Sequence, residues 1–164
     1  MPSDIGGSPE RVRAALAAAG HPDTIVEVPE TARTAAGAAE AVGCTVAQIA
    51  KSIVFRAADE RPVLVITSGV NRVDPARVAR ALGVGIKQAD ADWVRAATGF
   101  AIGGVAPVGH LTPPLVLLDE DLLALDPIWA AAGAPHLVFR TSAAELRRIS
   151  GAEVAPVRAE RGAR

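Results

Sequence analysis

Two apolar runs, Ser52-Ile-Val-Phe-Arg56 and Pro62-Val-Leu-Val-Ile-Thr67, stand on either side of the polar stretch Ala58-Asp-Glu-Arg61. Short β-branched and aromatic runs separated by a few turn-forming residues predict a β-hairpin, here with a loop slightly longer than the tightest type. The second run is apolar almost throughout, so both of its faces need cover. The rest of the chain must supply it.

Helix signals recur around this hairpin. Ser8 followed by Pro9 reads as a cap and first helical residue, with Gly20 as a stop. An alanine-rich helix is expected over 34–41, ended by Gly43, and a second start at Thr45 delivers the chain to Lys51. Asp74-Pro75 opens another helix, in which Val78 and Leu82 share a side before Gly83. Asp90 caps 91–97, and Ser142 caps 143–149 with Glu145 at the capping-box position. Strands are expected at 25–28, 84–87 and 115–119, and at 128–131 paired with 136–139 across Gly133. The intervals are uneven and one hairpin is clear, which favours a mixed α/β fold with an antiparallel component over a regular doubly wound sheet. No repeat or linker divides the chain, so one domain over 1–164 is expected, with its core at about 8–157. The tail from Arg158 lacks apolar periodicity and reads as solvent-exposed, and its removal after Val157 is expected to leave activity intact.

Composition narrows the function classes. With 3 Phe, 2 Trp and no Tyr, the core rests on Ala, Val, Leu and Ile, and a platform for stacking several bases is difficult to build. A net charge of −1 argues against nonspecific coating of nucleic acid while leaving room for recognition of one nucleic-acid end. No run approaches the roughly 18 to 20 apolar residues of a membrane span, and the opening segment lacks the order of a secretory signal. Cys44 is the only cysteine and reads as a small hydrophobe near a helix cap; a cytoplasmic chain is the expectation. His21, His110 and His136 lack metal-ligand spacing, so neither a metal nor a cofactor is expected.

The basic residues are 15 Arg and only two Lys, Lys51 and Lys87. Two accounts fit Lys51: a solvated cation at a helix end, or a cation held at a strand mouth to meet a phosphate or carbonyl, with Ser52 on the opposite face. The segment Ala101-Ile-Gly-Gly-Val-Ala-Pro-Val-Gly109 is either an irregular turn or a stretch that offers backbone N–H groups to a developing negative charge. It lacks the Gly-Lys-Ser/Thr of a phosphate loop. His110 follows this segment, and Asp119 ends an apolar strand, where it either orients a polar group or caps the next turn. Asn71 and Arg72 precede the central helix, where Arg72, Arg77 and Arg80 give a local positive bias suited to solvent or to a nucleic-acid backbone.

The pieces Thr34-Ala-Ala36, Ile49-Ala-Lys-Ser-Ile-Val-Phe55, Asn71-Arg-Val-Asp74, Thr98-Gly-Phe100, Gly103-Gly-Val-Ala-Pro-Val-Gly109 and Leu117-Leu-Asp-Glu120, in this order, resemble the YbaK / prolyl-tRNA synthetase-associated editing domain family. The resemblance spans about 25–149. It implies a mixed, largely antiparallel, barrel-like sheet surrounded by helices. It also implies a deacylase that hydrolyses mischarged aminoacyl-tRNA, with tRNA(Pro) carrying Ala, Cys or another small amino acid as substrate and prolyl-tRNA synthetase as a partner. By the same resemblance Lys51 matches the lysine on which editing depends. Gly103, Gly104, Pro107 and Gly109 match the Gly-Gly-x-x-Pro-x-Gly pocket loop, and Asp119 matches an acidic position near the site. Taken together with the residue reading above, the expected site has catalytic Lys51, Gly103 and Gly104, and substrate-binding Ser52, Asn71, Arg72, Pro107, Gly109, His110 and Asp119. Asn71 replaces a more acidic residue common in related chains, and His110 with Pro113-Pro114 departs from the usual apolar continuation of the loop. A tRNA acceptor-end binding module without catalysis is the competing reading.

Overall fold

A computed structural model of the chain describes residues 7–29, 32 and 34–160. In chain order the first half comprises α1 (Ser8–Ala18), β1 (Ile25–Glu27), α2 (Ala35–Val42), β2 (Ile49–Ala57), β3 (Pro62–Ser68), α3 (Pro75–Leu82) and β4 (Ile86–Gln88). The second comprises α4 (Ala91–Thr98), β5 (Leu115–Asp119), β6 (Ile128–Ala131), β7 (Leu137–Thr141), α5 (Ala143–Ser150) and β8 (Glu153–Ala155).

The predicted hairpin is β2–β3, paired from Ala50 with Ser68 to Arg56 with Pro62. Every residue of β3 is buried. Its side chains alternate between two apolar layers, as a strand covered on both faces requires. Leu64 and Ile66 join Ala50, Val54, Phe100, Leu118 and Phe139 on one face, beneath Val12 and Leu16 of α1 and Leu146 of α5. Val63 and Val65 join Phe55, Leu117 and Val157 on the other, beneath Val78 of α3.

The strands run in the order β1-β7-β6-β2-β3-β5-β8, with β4 also on β2. Antiparallel pairing joins β1 to β7, β7 to β6, and β2 to both β3 and β4. Parallel pairing joins β2 to β6, β3 to β5 and β5 to β8. This is the expected mixed α/β architecture, a largely antiparallel sheet surrounded by helices.

Cap residues position the helices, at Asp74, Asp90 and Ser142 as read from sequence and at Thr34 where a helical residue was expected. Thr34, Asp74, Asp90 and Ser142 each accept a backbone N–H with a side-chain oxygen, at 2.8–3.1 Å. Such a cap contributes about 1 kcal/mol. Ser8 differs: the helix is capped at Gly7, and the Ser8 hydroxyl donates instead to the Gly99 carbonyl at 2.9 Å. The hydroxyl donates to a tertiary acceptor and accepts no local N–H as a cap would. The acidic stretch after β5 forms a 3-10 turn, Glu120–Ala124, with Asp119 accepting the Asp121 N–H at 2.9 Å.

The C-terminal segment is a correction. Arg158 is not a free tail: it bridges Val73, and the Ala159 N–H donates to the Arg72 carbonyl at 2.7 Å. Backbone pairing needs no apolar pattern, so periodicity did not reveal it.

Candidate active site

One edge of β2 is paired with β3 along its length, whereas the opposite edge is shared. Beta-6 meets it at Ile49 and Ala50, and β4 meets it at Phe55, Arg56 and Ala57. Residues 51–54 between them have no ladder partner on that side. The Ala57 N–H turns to Arg61 in the hairpin and the Ala58 N–H to Gly85 beside β4. Alternation therefore turns the backbone groups of Ser52 and Val54 into the gap.

A cavity of about 290 Å³ opens at this gap. It is lined by Lys51, Ser52 and Ile53 of β2, by Ile102, Gly103 and Val105 of the glycine-rich segment, and by Ala35, Ala38, Trp129 and Val138 among others. A smaller lobe of about 160 Å³ shares Ser52, Ile102 and Gly103 and continues toward Val94 and Gln88. The Ser52 hydroxyl is buried without a hydrogen-bond partner among the described residues.

Lys51 is half-buried, and its ammonium donates to the backbone carbonyl of Asn71 at 2.8 Å. Burial, followed by the charge of Arg72, pushes its pKa below the ordinary lysine range. Arg72 is exposed and enters no ion pair among the described residues. Two neighbouring cations with an open side form a place for an anion.

Behind Lys51 lies a polar network on wholly buried Asp119. One carboxylate oxygen accepts from the Thr67 hydroxyl at 2.7 Å, the Asn71 amide at 2.7 Å and the Ser68 N–H at 3.2 Å. The Asn71 amide also donates to Asp121 at 2.8 Å. Asp119 thus holds Asn71, and Asn71 holds Lys51. Neither Asp119 nor Asn71 lines the cavity.

The glycine-rich segment divides between two places. Gly103, at φ 95, and Val105 line the main cavity, and no hydrogen bond from the Gly103 amide forms among the described residues. The Gly104 N–H is occupied by the Ala101 carbonyl at 2.9 Å, and a Cβ there would lie 3.1 Å from the Cα of Ala134. Pro107, Gly109 and His110 instead line a separate cavity of about 250 Å³ with Pro113 and Pro114. The His110 Nε2 lies 2.7 Å from the Ala106 carbonyl, and Nδ1 is buried without a partner among the described residues. Burial lowers the His110 pKa, with the charge of Arg11 adding and the bond to Ala106 opposing.

Sequence reasoning did not single out Ile102 or Trp129. Ile102 is an exposed apolar side chain, 61% accessible, that lines the cavity beside Gly103 and Gly104. Only that position beside the glycines was visible in one dimension; Trp129 carried no local signal. Cys44 is half-buried, with a thiol pKa raised by burial, and it follows the glycine that ends α2.

Among the described residues no group of three or more His, Cys, Asp or Glu side chains is placed to hold a metal ion, and no helix is long and apolar enough to cross a membrane. The family model of the aminoacyl-tRNA editing domain matches residues 29–149, beginning after α1. YwhH, an uncharacterised protein of Bacillus subtilis (strain 168), is 28% identical over 130 residues, 79% of this chain and 83% of that protein. A crystal structure described as a candidate trans-editing enzyme for prolyl tRNA synthetase is 45% identical, with a TM-score of 0.88 over 93% of this chain and 98% of that one. The hypothetical protein APE2540 is 26% identical, with a TM-score of 0.83 over 90% of this chain and 99% of that one. The chain belongs to the aminoacyl-tRNA editing domain family, the YbaK and prolyl-tRNA synthetase-associated group of aminoacyl-tRNA deacylases.

Proposed function

We propose that the cavity at the gap in β2 removes a small non-cognate amino acid, such as Ala or Cys, from tRNA(Pro). The observation that carries this reading is the convergence of Lys51, Ser52 and Gly103 on one largely apolar cavity of about 290 Å³. The aminoacyl group enters between the alanine-lined wall and the glycine segment. Water adds to the ester carbonyl, the bond to the ribose oxygen breaks, and the neighbouring ribose hydroxyl relays the proton to that oxygen. Lys51 positions the aminoacyl end and is not a covalent nucleophile.

The amides with no partner in the described structure refine the assignment within the glycine segment. The Gly103 N–H and the Ser52 N–H or hydroxyl stabilise the tetrahedral oxyanion, whereas Gly104, whose N–H is already bonded, shapes the loop. Arg72 meets an acceptor-end phosphate beside Lys51. Asp119 and Asn71 act through Lys51 by holding it. Prolyl-tRNA synthetase is the proposed partner, supported by the description of the 45% identical structure.

The test is release of amino acid from tRNAs charged with Ala, Ser, Cys, Thr and Pro, by the protein and by its Lys51→Ala form. Fast release of one small amino acid from tRNA(Pro), lost in the variant, is expected. Equal rates for both forms across the panel would sink the proposal.

A further inference from the structure

The glycine-rich loop leaves α4 at Gly99 and turns away at Gly109, so its neck lies between two glycines of positive φ, 83 and 82. A side chain from outside the loop closes that neck. Arg11 of α1 donates through Nη2 to the Gly99 carbonyl at 2.9 Å and through Nε to the Gly109 carbonyl at 3.2 Å. Its guanidinium also lies over the Phe100 ring, 5.0 Å from the centroid.

The neck is built around this side chain. A Cβ on Gly99 would lie 2.3 Å from Arg11 Nη2, and one on Gly109 would lie 3.3 Å from the Arg11 carbonyl oxygen. Arg11 enters no ion pair among the described residues, so its donors go to the two carbonyls. The planar guanidinium suits such a bridge: two donors in a fixed fork set a separation between their acceptors, which a lysine ammonium does not. Gly103 and Val105, which line the main cavity, sit on the arc that this fork closes.

We infer that Arg11 is a positioning residue for deacylation: by bridging Gly99 and Gly109 it fixes the glycine loop against Lys51 and Ser52, and so fixes the aperture of the aminoacyl cavity. The inference rests on that cavity being the editing site. Loosening the neck moves Gly103 without touching Lys51, so it lowers turnover and also widens the range of amino acids accepted.

The test compares wild type with Arg11→Met, which keeps an apolar stem over Phe100 and loses both bonds, and with Arg11→Lys. Amide hydrogen exchange on the free protein should accelerate at 101–105 in Arg11→Met by about tenfold or more, with β3 unchanged. Turnover of the preferred ester should fall by about 10- to 100-fold. The rate ratio between the preferred and a bulkier ester should narrow, which a mere loss of folded protein would not produce. Unchanged exchange at 101–105 together with an unchanged ratio would overturn the inference. Should Arg11→Met fail to fold, Arg11→Lys decides: wild-type exchange and selectivity in that variant would show that charge alone suffices and overturn the bridging role. A wild type that releases no amino acid from any tRNA would defeat the functional proposal instead, and the exchange measurement would still judge the clamp.

Discussion

The Lys51 ammonium donates to the Asn71 carbonyl at 2.8 Å, and the Asn71 side-chain amide is itself held between Asp119 and Asp121. The lysine is therefore fixed by a partner that is fixed in turn, although its burial disfavours its charge. A charge kept where solvation is poor is a common cost of function. Replacing Lys51 by Met should lower deacylation by about 100-fold or more, the scale of losing a positioned group. Thermal unfolding of the same variant should stay at or above the wild-type temperature. A lower midpoint with retained activity would reverse the interpretation.

Asp119 supplies the fixed end of that chain. Its carboxylate accepts from Thr67, Ser68, Asn71 and Asp121, and it is wholly buried. In Asp119→Asn an amide N–H must face donors, and each buried donor left unpaired costs about 1–3 kcal/mol. A loss of about 2–4 kcal/mol in urea unfolding is expected on that basis. Turnover should fall in the protein that remains folded, because Asn71 loses its anchor. A near-neutral effect on both would mean that the network does not hold the lysine.

Much of this was legible in sequence, for physical reasons that stop at a definite point. The hairpin, the caps at Asp74, Asp90 and Ser142, and the terminal glycines of α2 and α3 depend on neighbouring residues and were read correctly. The cavity does not depend on neighbours. It arises because β6 and β4 pair with opposite ends of the same β2 edge, and both lie far along the chain from it. For the same reason Pro107, Gly109 and His110 could be recognised as part of a loop but not as lining a different cavity from Lys51. Strand β8 is three residues long and is defined by its register on β5, which leaves no periodic trace.

The two adjacent glycines should respond differently to alanine. At Gly103 a Cβ meets nothing within 4 Å, so the penalty is the left-handed backbone, at φ 95, and amounts to about 1–2 kcal/mol. At Gly104 the Cβ presses on the backbone of Ala134 at 3.1 Å and on Pro135 at 3.3 Å, which shifts the loop away from its support. Gly104→Ala should therefore raise KM and alter selectivity, while Gly103→Ala chiefly lowers stability and kcat. Kinetics across the ester panel, alongside urea midpoints, separates the two. Identical behaviour of the variants would show that the loop is insensitive to either cause.

His110 makes stability depend on pH. Its folded pKa is lowered, first by burial, so between that value and the unfolded value near 6.5 the unfolded chain binds a proton that the folded chain refuses. The stabilisation is complete above pH ~6.5 and is lost as pH falls through the lowered folded pKa, at no more than about 1.4 kcal/mol per pH unit. His110→Gln retains a donor for the Ala106 carbonyl without the titration. The difference in unfolding free energy between wild type and this variant should change between pH ~7 and pH ~5, because only the wild type carries the titration. Parallel curves would remove His110 from the account.

The segment after Val157 should matter to the site, contrary to what its composition suggests. Val73 bridges Arg158, the Ala159 N–H bonds the Arg72 carbonyl at 2.7 Å, and the Arg158 guanidinium lies 3.6 Å from the Asp121 carboxylate that also accepts from Asn71. The segment therefore braces the turn carrying Asn71 and Arg72 from its outer side. Truncation after Val157 removes one backbone bond, worth about 1 kcal/mol, and frees the turn that presents the Asn71 carbonyl to Lys51. Activity should fall by about tenfold, the consequence of a small displacement of a positioning group. Arg158→Ala alone should show a smaller loss, since the backbone pairing persists and an exposed ion pair contributes at most about 1 kcal/mol. A truncated protein as active as the full chain would mean that the turn stands without this brace, and that Asp119 and Asp121 suffice to set the position of Asn71.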